Sequence, residues 1–268
     1  MQLIGCSYQQ LSKEHMKIRL LSDLHLEFQV LPIRQGGEDV VVLAGDIGVG
    51  ISGIEWARKT FSCPVIYVAG NHEFYGQHFD DLIPELRAAA AGSNVRFLEN
   101  DAVLVDGVRF IGASLWTDYE LDCTPSYSMG FAQEVMSDFK VILDGPQEAL
   151  VKLTPERTVE RFHDSLAAIT QLVEQPFSGK TVVVTHHLPS PACVDPRFKG
   201  DKCNAAFASN LDAFIEQHPQ IGYWMHGHTH ACVDVMVGAT RLLCNPGGYP
   251  HGGKRENRNF EQECVISL

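Results

Sequence analysis

The stretch Trp224-Met-His-Gly-His-Thr-His230 places histidines at three alternate positions, directly after a short apolar run. The apolar residues 221–225 predict a buried strand. Alternate side chains of an extended chain share a face, so two or three of these imidazoles can converge on one point. Neutral imidazole is the commonest transition-metal ligand, and Gly227 permits a sharp turn where the strand ends. The stretch therefore predicts one wall of a metal site, the alternative being a strand end with solvated histidines.

Buried strands and amphipathic helices alternate along the rest of the chain. Besides residues 221–225, apolar runs predict strands over residues 18–22, 40–44, 65–69 and 181–185. This alternation indicates βαβ units and a mainly parallel sheet. Two hairpins are predicted, the first with a type I′ turn at Asp106-Gly107 and the second around Gly238. Turn-forming residues predict a loop over 113–130, followed by a helix over 131–141.

Length and composition fit one soluble α/β domain. The chain has 268 residues, 45% of them hydrophobic and 20% charged, which is ordinary for a globular protein with a sizeable core. Residues 1–15 are polar and aperiodic, so we expect a flexible N-terminal tail and a single domain over residues 16–268. The eight cysteines form no Cys-x-x-Cys pair, and the N-terminus lacks a signal peptide's apolar segment. We therefore expect reduced thiols and a cytoplasmic location.

The charge balance narrows the range of partners. A formal net charge of -12 argues against extended nucleic acid and against an anionic membrane surface. No apolar run approaches the roughly 18–20 residues of a membrane span. A small anionic substrate held at a metal centre stays compatible with the charge, because bound cations dominate the local field.

Polar residues follow the carboxyl ends of the predicted strands, which is where open α/β sheets place their sites. These residues are Asp23 and His25; Asp46; Asn71 and His72; His186 and His187; and His226, His228 and His230. This mixed oxygen and nitrogen donor set suits Mn²⁺, Fe or Zn²⁺ and is too rich in nitrogen for Ca²⁺. One ion would not need so many ligands, so we predict two ions about 3.5–4 Å apart that share a carboxylate.

The motifs Asp-x-His, Gly-Asp, Gly-Asn-His-Glu, His and Gly-His-x-His occur in this order over residues 17–245 and resemble the calcineurin-like metallophosphoesterase superfamily. The resemblance implies a four-layer α/β/β/α sandwich with a dinuclear centre. The first metal would be held by Asp23, His25 and His230, the second by Asn71, His186 and His228, and Asp46 would bridge them. His72 would stand beside the phosphate as a general acid. His187 and His226 fall outside the ligand pattern, and we expect them to pack or to support the ligands.

The resemblance also implies an activity. It predicts a hydrolase of phosphate esters, either a phosphodiesterase or a phosphomonoesterase, that uses a metal-bridging hydroxide as its nucleophile. The expected substrate is a small molecule, with nucleotides among the candidates, and Mn²⁺ is the expected metal. The bridging motif Gly-Asp-Ile-Gly-Val-Gly lacks the Asp-Arg-Gly continuation of the Ser/Thr protein phosphatases. The alternatives are a nuclease or pyrophosphatase of the same superfamily, or a non-catalytic metal-binding module.

Substrate contacts are expected from loops 113–130 and 187–207. Arg197 is the candidate for holding a further phosphate, and Trp116 or Tyr75 could stack on a base. Each of these residues is equally compatible with ordinary surface charge or loop packing.

Overall fold

The computed structural model describes residues 15–268. Apart from His15, the predicted tail lies outside the described residues. The strands are β1 Lys17–Leu21, β2 Val40–Ala44, β3 Val65–Val68, β4 Val95–Phe97, β5 Asp101–Val105, β6 Val108–Ala113, β7 Leu143–Asp144, β8 Val151–Lys152, β9 Lys180–Thr185, β10 Ile221–His226, β11 Val233–Val237, β12 Thr240–Cys244, β13 Pro250–His251, β14 Lys254–Arg255 and β15 Val265–Ser267. The helices are α1 Ser52–Thr60, α2 Leu82–Ala90, α3 Pro125–Val135, α4 Asp138–Val141, α5 Pro155–Glu174, α6 Asn204–Phe207 and α7 Asp212–Gln217.

Two sheets form the centre of the molecule. The five-stranded sheet has the order β15-β1-β2-β3-β4, and the six-stranded sheet has the order β11-β12-β10-β9-β6-β5. Strands β1 to β4 pair in parallel, and so do β12, β10, β9 and β6. Antiparallel pairing occurs where β15, β11 and β5 join as edges. The carboxyl ends of the parallel strands therefore lie together at one edge of each sheet.

The strands are buried on both faces, which explains their nearly continuous apolar sequences. One hydrophobic core includes Leu20, Val42, Val184 and Met225 and lies between the two sheets. A second core packs helices against the outer faces, with α1 and α2 against β4, and α5 against β5 and β6. The predicted α/β/β/α sandwich is confirmed. Within residues 15–268, no helix combines the length and the apolar character needed to cross a membrane.

The structure corrects two sequence predictions. Helix α3 begins at Pro125, inside the predicted loop 113–130, and a break at residues 136–137 separates it from α4. Proline is favoured in the first turn of a helix, but here it stands among turn-forming residues that mask the helix start. Strand β15 was not predicted. The hairpin turn is confirmed, because Asp106 and Gly107 have φ values of 45° and 82°, as a type I′ turn requires.

Candidate metal centre

The predicted ligands converge at the carboxyl ends of β1, β2, β3, β9 and β10. The backbone is left-handed at Asp23, His25, Asp46 and His228, with φ values of 51°, 45°, 54° and 68°. Residues other than glycine rarely adopt this conformation, and it is concentrated at functional sites. The chain thus bends sharply where the strands end, and the bends turn these side chains toward one another.

The first cluster contains Asp23, His25 and His230. The Nε2 atoms of His25 and His230 lie 3.2 Å apart. His230 Nε2 is 3.6 Å from Asp23 Oδ1, and His25 Nε2 is 3.9 Å from Asp46 Oδ2. Asp23 and His25 are fully buried. These donor atoms are close enough together to bind one ion.

The second cluster is centred on His186 Nε2. That nitrogen lies 3.1 Å from Asn71 Oδ1, 3.2 Å from His228 Nδ1 and 3.4 Å from Asp46 Oδ1. Asp46 therefore turns one carboxylate oxygen toward each cluster. This is the arrangement that a bridging carboxylate requires.

The imidazoles are oriented as metal ligands by bonds on their opposite nitrogens. His25 Nδ1 lies 3.2 Å from Glu27 Oε1, His186 Nδ1 lies 2.9 Å from Ala44 O, and His230 Nδ1 lies 2.6 Å from Glu256 Oε2. A ring that donates its Nδ1–H to such an oxygen keeps a lone pair on Nε2. Those lone pairs point into the clusters, where a cation would remove their mutual repulsion. The donor set thus fits two divalent transition-metal ions.

The buried carboxylates add to this preference for cations. Burial raises the pKa of Asp23, despite the nearby histidines. Burial also acts to raise the pKa of Asp46, but His186 and His72 outweigh it and hold that pKa well below its usual value. Burial lowers the pKa of His186, yet Asp46 and Asp23 raise it overall to about 9. In the metal-free protein, protons on histidine therefore balance the charge of Asp46.

His72 lies next to the clusters but has no nitrogen free for a metal. Its Nδ1 is 3.0 Å from Glu27 Oε1, and its Nε2 is 3.0 Å from Tyr249 Oη. Its backbone N–H donates to Asp46 Oδ1 at 2.8 Å, and its ring stacks on Tyr75 with centroids 4.1 Å apart. Burial lowers the pKa of His72, but Asp46 and Glu27 outweigh it and raise the pKa to about 9. The ring is therefore a cation at neutral pH, as a general acid must be.

Glu73 holds the backbone on which Asp46 lies. Its Oε2 accepts bonds from the N–H groups of Asp46 and Gly70, at 2.9 and 2.8 Å, and its Oε1 accepts from Ile47 N–H and the Tyr67 hydroxyl, at 2.9 and 2.7 Å. Burial and the nearby Asp46 raise the pKa of Glu73. A proton on either oxygen would nevertheless face only donors, so we take the carboxylate as ionised. It joins the loops that follow β2 and β3.

Asp138 orients Asn71. Its Oδ1 accepts a 2.8 Å bond from Asn71 Nδ2, so the amide turns its oxygen to the second cluster. Asp138 is 1% exposed and also accepts a 2.8 Å bond from the Tyr75 hydroxyl. Sequence reasoning missed this residue because it lies alone in a weakly patterned segment, 67 positions from Asn71.

His187 and His226 make packing contacts, as expected. His187 lies against His228 and Trp116, with ring centroids 4.3 and 4.9 Å apart, and its Nδ1 is 3.2 Å from Ser114 O. His226 Nδ1 is 3.0 Å from Gly227 O. Burial lowers the pKa of His187 to about 3 and that of His226 to about 4. Both rings are therefore neutral at pH 7.

A cleft of about 730 Å³ opens over the two clusters. Tyr75 and Arg197 line it, although the Arg197 guanidinium already pairs with Asp195 at 2.9 Å. Loop 187–207 contributes to the cleft as predicted, but loop 113–130 does not. The prediction for Trp116 is wrong, because this residue is 2% exposed and packs on Phe74 and Phe79. A base cannot stack on a ring that is enclosed in the core.

Residues 246–259 form a cleft wall that sequence reasoning missed. This segment carries Tyr249, which reaches His72, and Glu256, which reaches His230. Glu27, the other partner of His72, lies two positions after His25. That short spacing was the one sequence signal that could have identified it.

Comparisons with known proteins agree with this geometry. The sequence model of the calcineurin-like phosphoesterase family matches residues 16–232. An uncharacterized protein of Acanthamoeba polyphaga mimivirus, L509, is 25% identical over 283 residues, covering 94% of this chain and 96% of that protein. The crystal structure of phosphopantetheinyl hydrolase from Mycobacterium tuberculosis has a TM-score of 0.69 and 18% identity, covering 95% of this chain and 96% of that one. The last similarity shows a common fold. Residues 16–232 contain every predicted metal ligand but neither Tyr249 nor Glu256.

Proposed function

Because the chain belongs to the calcineurin-like phosphoesterase family and is a hydrolase, we propose that it hydrolyses small-molecule phosphate esters at a dinuclear metal centre. The observation that carries this proposal is the position of Asp46. Its two carboxylate oxygens face different donor clusters, at 3.4 Å from His186 Nε2 and 3.9 Å from His25 Nε2. One shared carboxylate between two sets of ligands favours a pair of ions over a single structural ion.

Each group at the site has a distinct role. Two bound divalent ions would provide hydroxide at neutral pH and neutralise the phosphate oxygens. Asp23, His25 and His230 hold the first ion, Asn71, His186 and His228 hold the second, and Asp46 bridges them. His72, charged by Asp46 and Glu27, is the source of the proton that the leaving oxygen needs. We propose Mn²⁺ as the ion, with Fe and Zn²⁺ as alternatives that suit the same donors.

The cleft supports a small-molecule substrate. Its volume of about 730 Å³ lies within the usual range of small-ligand pockets, roughly 300–1,000 Å³. Apolar residues such as Met136, Val194 and Phe207 share its lining with Tyr75 and Arg197. Such a lining suits an ester with an organic group, for example a nucleotide, and the net charge of -12 opposes a long phosphate backbone.

We also propose a cytoplasmic location. The cysteines at positions 63, 123, 193, 203, 232, 244 and 264 are all free thiols in the structure. Free thiols in this number are typical of a reducing compartment.

The first experiment compares the turnover of bis-(4-nitrophenyl) phosphate and 4-nitrophenyl phosphate in Mn²⁺, with Asp46→Asn as the control. A preference for the diester would indicate a phosphodiesterase, and a preference for the monoester would indicate a phosphatase. Turnover that survives in Asp46→Asn would contradict the shared carboxylate. Two bound metals without turnover of either ester would favour the non-catalytic metal-binding module.

A further inference from the structure

The general acid of the proposed reaction does not face the cleft with a free nitrogen. His72 Nδ1 is bonded to Glu27 at 3.0 Å, and His72 Nε2 is bonded to the Tyr249 hydroxyl at 3.0 Å. A leaving oxygen therefore meets the hydroxyl of Tyr249 before it meets the imidazole.

The directions of these bonds decide where the tyrosine proton points. A protonated His72 donates Nδ1–H to Glu27 Oε1 and Nε2–H to Tyr249 Oη, because an imidazolium has no acceptor. The hydroxyl of Tyr249 then keeps its own proton for another partner. Within residues 15–268, His72 Nε2 is the one hydrogen-bond partner of this oxygen, and Tyr249 lines the cleft. The free O–H is thus directed to the space where a substrate binds.

Tyr249 is held beside the metal ligands by several contacts. Its ring centroid is 4.4 Å from that of His25 and 4.7 Å from that of His230. Arg255 donates to Leu24 O at 2.7 Å and to Gly248 O at 3.0 Å, which ties the segment to the loop after β1. The Tyr249 hydroxyl therefore has a fixed position relative to the donor clusters.

We propose that Tyr249 is a catalytic residue that gives its hydroxyl proton to the leaving oxygen and recovers a proton from His72. This inference rests on the proposed function. As hydroxide forms the new P–O bond, the bond to the leaving group breaks and its electron pair stays on the leaving oxygen. The Oη proton moves to that oxygen, and the Nε2 proton of His72 moves to Oη. The products are the free alcohol or phenol, the phosphate product and a neutral His72.

The role predicts a dependence on the leaving group. A good leaving group such as 4-nitrophenolate departs without a proton, whereas phenolate needs one more. Tyr249→Phe keeps the ring contacts with His25 and His230 and removes only the hydroxyl. We expect kcat to fall by about 10²-fold for a phenyl ester and by less than about threefold for the matching 4-nitrophenyl ester, since one acid–base group contributes about 10²–10⁴-fold.

The test measures kcat and KM for phenyl and 4-nitrophenyl esters of the class, monoester or diester, that the wild-type protein hydrolyses faster. Metal content is measured on every variant and should stay at two ions per chain in Tyr249→Phe. Tyr127→Phe removes a hydroxyl from an exposed tyrosine of α3 and should match the wild type on both esters. Equal slowing of both esters, no slowing of either, or loss of metal in Tyr249→Phe would each overturn the role.

A double-mutant cycle separates a relay from two independent donors. In a His72→Ala background, Tyr249→Phe should slow phenyl ester hydrolysis by less than about threefold, because members of one relay are not additive. Multiplying effects would contradict the relay. A wild-type protein that binds two metals but hydrolyses none of these esters would refute the proposed function itself, and the tyrosine role with it.

Discussion

Replacing Glu73 with glutamine should lower the free energy of unfolding of the metal-free protein by about 2–4 kcal/mol. Glu73 is fully buried, and each of its oxygens accepts two bonds. The less costly orientation of the new amide places its NH₂ at the Oε1 position. There the Tyr67 hydroxyl can turn and accept a bond, so that only Ile47 N–H loses its acceptor.

The magnitude follows from the individual bonds. An unsatisfied buried N–H costs about 1–3 kcal/mol, and losing charge assistance on the bonds from Asp46 and Gly70 costs about 1 kcal/mol each. Part of this is offset, because burial raises the pKa of Glu73 and the neutral amide carries no buried charge. The sum is destabilising, and it falls on the loop that carries the bridging carboxylate.

Urea unfolding without metal measures this change without the stabilisation that ligands add. Glu99→Gln is the matched control. Glu99 is 4% exposed, but only its Oε2 accepts bonds, from Ser114 N–H and Oγ–H at 2.9 and 2.8 Å, while its Oε1 has no partner in residues 15–268. An amide nitrogen at Oε1 orphans no donor, so we expect a loss below about 1 kcal/mol. If Glu73→Gln unfolds at the wild-type urea concentration, or if both variants lose equally, the four bonds do not hold the loop.

Three further predictions concern the metals and the proton donor. Asp46→Asn should abolish turnover and leave fewer than two metals bound, as measured by elemental analysis, because both clusters lose a charged oxygen. His72→Ala should keep both metals but slow turnover by about 10²–10⁴-fold, and metal loss in this variant would mean that His72 is a ligand. Because Asp46 and Asp23 outweigh burial and raise the pKa of His186 to about 9, metal must displace its proton. The apparent Mn²⁺ affinity should therefore fall about tenfold per displaced proton for each pH unit below that pKa, and calorimetry in buffers of different ionisation enthalpy should count the released protons. No buffer dependence would contradict this protonation.

The metal ligands could be predicted because local sequence and fold point to the same place. Each motif follows an apolar run, and parallel strands bring their carboxyl ends to one edge of a sheet. Asp23, Asp46 and His186 lie far apart in the sequence, yet each directly follows a buried strand. The family match over residues 16–232 confirms the recognition on which the fold prediction relied.

The partners of those ligands could not be predicted in the same way. Tyr249 is 177 positions from His72, Asp138 is 67 positions from Asn71, and Glu256 is 26 positions from His230. None of these residues belongs to a periodic pattern or to a motif. Their positions depend on how loops fold over the strand ends, and a single polar residue carries no signal of that packing.

Trp116 shows why the substrate side of the site is harder to predict than the metal side. Turn-forming residues correctly indicated that the chain bends after β6, but they do not determine the direction in which the side chains point. Leu115, Trp116 and Tyr119 all have left-handed φ values, of 73°, 64° and 59°, and all are buried. The loop therefore turns its aromatic residues inward, where Trp116 supports His187. The cleft wall comes instead from residues 246–259, beyond the family match, so substrate selection rests partly on a segment that the shared motifs do not describe.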